Sequence, residues 1–212
     1  MSTPQPVFLD TTAFQPADPQ RYQGQPDVLG MWQDPNGHTI SIHYYPVVPD
    51  LPASPDDIHL VRPALATQYA GSGCLIEADQ AVVDGVRAVR AIVKLPIPNA
   101  PSGQIFSGVV IIPRDRCSVV VRTMAAEQGT TGVREAMVMA QTMAQNACFL
   151  PHPYRQDLQS ALPYHAGDHR DHDSEFPDHP LSAVRRAQAW VISTALMDPQ
   201  FAALPPFRPA GR

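Results

Sequence analysis

The chain has 212 residues, of which 44% are hydrophobic and 17% charged, and a formal net charge of −5. That balance is globular rather than disordered, and the length allows one well-buried core with extensions. The acidic excess argues against a nucleic-acid partner, which calls for a basic face, and no apolar run approaches the roughly 18 residues of a membrane span.

Prolines divide the chain. Only five of the 24 (Pro63, Pro96, Pro98, Pro101 and Pro113) fall in residues 56–150. Proline removes a backbone donor and breaks helix interiors and central strands, so regular structure is expected to concentrate there, between two loop-rich arms. Residues 1–27 form the first arm, with Phe8 and Phe14 as its anchors along the domain. They open on Met-Ser-Thr-Pro-Gln-Pro, without the basic-then-apolar order of a secretory signal, so the cytoplasm is the expected compartment.

Val28 to Trp32 reads as a first strand and His38 to Tyr45 as its partner, joined through Asp34-Pro35-Asn36-Gly37. An Asn-Gly pair between two strand-like runs is a strong hairpin signal. In the second run Ile40, Ile42 and Tyr44 alternate against Thr39, Ser41 and His43. A loop marked by Pro46, Pro49 and Pro52 leads to Ser54-Pro55-Asp56-Asp57, a cap followed by proline and acids, which starts a helix. Ile58, Leu60, Val61, Leu65 and Tyr69 supply its apolar face; Pro63 marks either a kink or a later start, and Gly71 and Gly73 end it.

From Cys74 the period becomes that of strands, with runs at 74–81, 86–97, 106–113 and 117–124. Their links are short, Val83-Asp84-Gly85 among them, which makes them consecutive antiparallel neighbours. Val89, Ala91, Val93 and Leu95 share a face toward a core, and Arg90 and Lys94 lie on the other, partly wet, face. Thr130-Thr131-Gly132 opens a helix to about Cys148, whose stripe of Val133, Met137, Ala140, Ala144 and Ala147 is expected to pack on the sheet. Met137, Met139 and Met143 read as core filling, with a pliable ligand groove as the alternative. A proline- and histidine-rich segment runs to about His179. A last helix then covers 180–197, with Leu181, Val184, Val191 and Ala195 on one line, Trp190 beside them, and a non-helical end from Leu204.

Over about residues 28–148 this order of hairpin, helix, four meandering strands and long helix resembles the PsbP-like (Mog/PsbP) fold. Actinobacterial proteins of the LpqN type look similar in the same layout. The resemblance is carried by the element order, the Asn36-Gly37 hairpin, the turn at Gly85 and the closing amphipathic helix. It implies an α+β fold in the order ββαββββα, an antiparallel sheet of about six strands covered by helices over residues 28–150. The arm at 1–27 and a Pro/His-rich extension at 151–212, ending in a helix, flank that domain. It also implies a binding, assembly or accessory role, although a fold by itself fixes no function. Fourteen arginines against the single Lys94, with abundant alanine, valine and proline, fit an actinobacterial source.

Potential ligands gather in one place. His165, Asp168, His169 and His172 stand at helical spacings, and imidazole with carboxylate is a common ligand set for a divalent metal. Gly167, Pro163 and Pro177 oppose the helix that would align them, so a solvated acidic loop is the favoured reading, with a metal site or a pH-sensitive contact as alternatives. Arg87, Arg90 and Arg122, with Arg114 and Arg116, would make a basic patch for an acidic partner if the strand register brings them together, and an exposed Trp190 would mark an interface. Glu77, Asp79 and Asp84 read as a solvated strand face, Gly71-Ser72-Gly73-Cys74 as a helix stop, and Cys74, Cys117 and Cys148 as buried free thiols. The sequence carries neither a Gly-x-Ser-x-Gly elbow nor a glycine-rich phosphate loop.

These observations lead to a non-enzymatic binding or assembly protein without a cofactor, contacting a protein partner or a second copy of itself through its sheet face, arms or extension. A metal-dependent protein built on the histidine segment and a carrier of small apolar ligands are the alternatives.

Overall fold

The computed structural model describes residues 5–142 and 148–209. The arm contributes two short strands, Val7–Phe8 (β1) and Gln15–Pro16 (β2), ahead of the hairpin Val28–Gln33 (β3) and Thr39–Tyr45 (β4). At the hairpin tip the Asp34 carboxylate accepts the N–H groups of Asn36 and His38, each at 2.9 Å, and Gly37 takes a φ of 84°, which favours glycine. Ile58–Ala70 (α1) follows; it runs through Pro63, so the helix neither breaks nor begins at that residue.

Four long strands come next: Cys74–Val83 (β5), Val86–Pro96 (β6), Gln104–Pro113 (β7) and Ser118–Ala126 (β8). Asp84 at φ 45° and Gly85 at φ 77° make the β5–β6 turn tight enough to pair Val83 with Val86. The chain closes with Val133–Thr142 (α2), Pro180–Thr194 (α3), Leu196–Met197 (β9) and Pro199–Ala202 (α4). The seven-stranded sheet has the order β2-β3-β4-β8-β7-β6-β5, antiparallel throughout, and β1 pairs with β9 in a separate two-stranded ribbon. The fold is α+β as expected, with one strand more than six because the arm adds β2 beside β3. No helix among the described residues is long and apolar enough to cross a membrane.

Two layers close over the sheet. On one face Ile40, Ile42, Val110, Ile112 and Val121 pack with Val191, Ala195 and Met197 from the C-terminal elements and with Val7 from the arm. On the other, Leu75, Ala78, Val89, Ala91 and Val93 pack with Val61, Leu65 and Ala66 of α1 and with Phe207 of the tail. Residues 180–207 are therefore a structural layer of the core. Gly108 lets α3 approach: a Cβ there would lie 2.7 Å from both Thr123 Oγ1 and Val184 Cγ1. At this crossing Gln188 Nε2 donates to the Ala91 and Val109 carbonyls at 2.9 and 3.0 Å.

Four expectations change. Both faces of β6 are covered, and Lys94, expected on the wet face, is 2% exposed. The apolar stripe of α2 faces outward, with Val133 and Met137 exposed, while Arg134 and Val138 are buried beneath it. The reason is that α2 docks on the 165–173 segment through Arg134 instead of lying on the sheet through its apolar stripe. The rest of that stripe, Ala144 and Ala147, and also Met143, lie outside the described residues. The last helix stops at Thr194 because Ala195 turns extended and feeds β9. In the arm, Val7 rather than Phe8 is the buried anchor, and Phe14 packs on Trp190 at 5.4 Å between ring centroids.

Candidate functional site

A cleft of about 440 Å³ lies between the arm and α3. Its floor is Ile40 of β4, Thr123 and Ala125 of β8, and Val184 of α3. Ala187 and Trp190 form one wall, and Thr12 to Phe14 of the arm form another. Polar groups edge it at the hairpin tip, where His38 Nδ1 and Asp34 Oδ2 meet at 3.0 Å, and at Arg186, which donates to the Pro177 carbonyl. Local rules place these parts: period-2 alternation turns Ile40 toward α3, and helical spacing sets Ala183, Ala187 and Trp190 along one flank.

A second cleft, of about 390 Å³, opens at the β5 edge. Three guanidinium groups converge on Glu77: Arg170 at 2.9 Å, Arg90 at 3.2 Å and Arg185 at 3.4 Å. Asp79 is held by Arg90 and by Arg62 from α1. The outer edge of the strand is covered as well, because Arg62 Nε donates to the Ala78 carbonyl and the Ala78 N–H donates to the Tyr154 hydroxyl. Glu77 and Asp79 are thus ion-paired components and not the solvated strand face the sequence led us to expect. Asp84 accepts the Met197 N–H and ties the β5–β6 turn to β9.

Behind this cleft the 165–173 segment is held by buried charge. Lys94 Nζ lies 2.6 Å from Asp168 Oδ2, and that same oxygen accepts the His165 N–H at 2.8 Å. Arg134, 0% exposed, donates to the Gly167 and His169 carbonyls, to Ser182 Oγ and to Asp173. Asp173 also meets Arg185 at 2.7 Å. Burial raises the pKa of the Asp173 carboxyl, but Arg185 and Arg134 outweigh it and hold the group below the usual carboxylate range.

The segment is not the solvated loop favoured from its sequence, since His165 and Asp168 are buried, and the side chains of the alternative metal site are engaged otherwise. His165 Nδ1 accepts the Gly167 N–H at 2.9 Å, so its proton sits on Nε2, and Asp168 Oδ2 is committed to Lys94 and the His165 N–H. His172 Nδ1 faces Glu175 at 3.0 Å, and His169 lies exposed at the second cleft. Among the described residues, three side chains bring possible ligand atoms within 4.8 Å of one another, namely Glu127, Glu135 and His179. His179 Nδ1, however, accepts the Leu181 N–H at 3.2 Å and caps α3, which leaves an N–H on the ring atom 3.8 Å from Glu127. That nitrogen carries a proton beside the carboxylate, without a hydrogen bond to it, and so offers no lone pair to a metal.

The register also separates the arginines. Arg90 pairs with Val110 on the α3 face, and Arg122 pairs with Val109 on the α1 face. Arg87 is exposed and paired with Asp56, Arg116 is exposed, and Arg114 is buried with a donor on the Ala202 carbonyl. Trp190 is half-buried beside Phe14. Cys74 and Cys117 are buried free thiols and Cys148 is a half-buried one; burial pushes the Cys74 thiol up to about 11.

One constellation escaped sequence reasoning. Ser41 Oγ lies 2.8 Å from His43 Nε2, and His43 Nδ1 lies 2.8 Å from Asp27 Oδ2, the hydrogen-bond order of a serine triad. Ser41 and His43 are both 4% exposed, β4 is paired on both sides so the Ser41 N–H belongs to the ladder, and neither cleft reaches them. The Ser41 N–H is thus not free to stabilise an oxyanion, and the chain serves as a hydrogen-bonded polar core. The alternation of Ser41 and His43 in sequence signals the shared face, but nothing local to it points to Asp27.

No family model matches the chain, and no curated protein is similar to it. Among solved structures, the solution structure of cyanobacterial PsbP (CyanoP) from Synechocystis sp. PCC 6803 is similar at 13% identity, covering 66% of this chain and 88% of that one, with a TM-score of 0.33. At that score the similarity carries no argument about this chain and gives no residue here a role. The elements themselves follow the expected order, ββαββββα from β3 to α2.

Proposed function

We propose that the protein is a binding or assembly protein that acts by contact, seating an apolar side chain of a protein partner in the cleft between the arm and α3. The observation that carries this reading is the make-up of that cleft: an apolar floor, the half-buried Trp190 and Phe14 at its wall, and a rim of Asp34, His38 and Arg186. Apolar centres with aromatic anchors and polar rims are the anatomy of protein interfaces, and tryptophan is enriched among residues that dominate their energy. The arm supports the reading because its Thr12–Phe14 wall is presented between two paired strands, β1 and β2, with Phe14 packed on Trp190.

A second reading, a carrier of small apolar ligands, is favoured by the volume, which falls within the range of small-molecule sites. One variant tests both. Ala187→Trp fills the cleft from α3, and it is expected to abolish affinity capture of the partner from the native host while Arg87→Ala leaves capture intact. Loss of an environment-sensitive apolar dye from the same variant, without any captured protein, favours the carrier. Capture unchanged by Ala187→Trp removes the cleft from the function.

A further inference from the structure

We propose that the second cleft, at the β5 edge, binds a small dianionic oxyanion, the recognised chemistry being a phosphoryl group. The arginines around it outnumber their carboxylates. Arg62, Arg90, Arg134, Arg170 and Arg185 form one ion-paired network with Glu77, Asp79 and Asp173. Five guanidinium groups against three carboxylates leave an excess of two positive charges, and the adjoining Lys94–Asp168 pair is neutral. Arg90, Arg170 and Arg185 line the recess with Glu77, Asp79 and the Lys94-paired Asp168, while Arg62 and Arg134 stand behind that lining, in a chain whose formal charge is −5. Low-dielectric walls strengthen such a field, and an anion relieves it.

The donors suit an oxyanion. Arg185 has 6% of its side chain exposed, and its buried Nε has no hydrogen-bond partner. The Tyr154 hydroxyl already accepts the Ala78 N–H, so its own proton is free to be donated into the cleft. Tyr164 lines the same cleft, and burial pushes both phenols upward in pKa, keeping them as O–H donors in neutral solution. Arg170 stands half exposed at the mouth, where an arriving anion meets it first. Asp168 Oδ1 is buried without a partner and suits the single O–H of hydrogen phosphate or a hydroxyl on the organic part of a monoester. The volume of about 390 Å³ leaves room for such an organic part. This site is on a different flank of α3 from the apolar cleft and stands independently of the function proposed above.

Isothermal titration of the full chain tests it, with inorganic phosphate and glycerol phosphate as the two probes and sodium chloride at matched ionic strength as the control. Saturable one-site binding is expected, weakened at least about tenfold by Arg170→Ala and by Tyr164→Phe, the usual worth of one charge-assisted hydrogen bond. Arg170 is half exposed and Tyr164→Phe keeps its ring, so both variants retain the fold, which circular dichroism checks. Tighter binding of glycerol phosphate identifies a phosphomonoester as the natural class, and tighter binding of phosphate identifies the free ion. Heats that do not saturate, an equal response to chloride, or affinity unchanged in Arg170→Ala overturns the proposal.

Discussion

Replacing Lys94 with methionine keeps most of the side chain's volume and removes the ammonium. Its partner Asp168 is 1% exposed, and Oδ1 has no hydrogen-bond partner, so after the change one carboxylate would remain buried with only the His165 N–H on Oδ2. Breaking a buried ion pair from one side costs about 3–5 kcal/mol. In a chain of this size each kcal/mol moves Tm by about 2–4 °C, so Tm is expected to fall by roughly 6–20 °C. Joint replacement, Lys94→Met with Asp168→Leu, removes both charges and is expected to lie within about 2 kcal/mol of the parent, or above it. Urea unfolding of the parent, both single variants and the double variant, followed by circular dichroism, yields the coupling free energy. A loss below about 1 kcal/mol for Lys94→Met, the range of an exposed pair, would refute the reasoning and show that water reaches the pair.

Arg134→Met strips the donors that hold the Gly167 and His169 carbonyls, Ser182 and Asp173; it is expected to cost about 3–5 kcal/mol and to abolish amide-exchange protection over 165–173 before elsewhere, with Arg134→Lys failing to restore it for lack of the planar fork. Gly108→Ala pushes α3 off β7 and is expected to cost about 1–3 kcal/mol, read as a lowered urea midpoint; an unchanged midpoint would mean that α3 packs less closely than described. Burial lowers the pKa of His43, His152 and His165, so the unfolded chain takes up protons first: stability is complete above about pH 6.5 and declines as pH falls from there toward the lower folded values. His165→Asn, which keeps an acceptor for the Gly167 N–H, should flatten that decline in thermal scans, and a slope identical to the parent would remove His165 from the effect. Ser41 is expected to resist fluorophosphonate labelling, and stoichiometric adduct formation would mean that the Asp27–His43–Ser41 chain is catalytic after all.

What was legible in the sequence is what local chemistry decides. Asn36-Gly37 and Asp84-Gly85 specify their turns through left-handed backbone, and alternation in β6 specifies its two faces. The covering of those faces was not legible, because it depends on where residues 180–207 travel. Alternation puts Lys94 opposite Val93 without saying that Asp168, far along the chain, waits there. The α2 stripe misled for a related reason: its Val133 and Met137 spacing is that of a core face, yet a single buried arginine turns the helix the other way. The histidine segment invited a metal, but its backbone N–H groups and carbonyls claim the same side chains first. Nothing in residues 74–83 alone signals that Arg170 and Arg185 come to Glu77, so the charged cleft had no local signature.

The pairing of Val7 with Met197 has a consequence for how the chain is made. A ribosome releases residues 28–126 long before α3, so the sheet first exists with one apolar face bare. Within the arm, β2 can pair with β3 early, but β1 cannot take its place until residues near 197 emerge, and its docking is therefore among the last events of assembly. A nascent chain halted before Pro180 would present Ile40, Val110 and Val121 to the surroundings, the species a chaperone would be called on to shield.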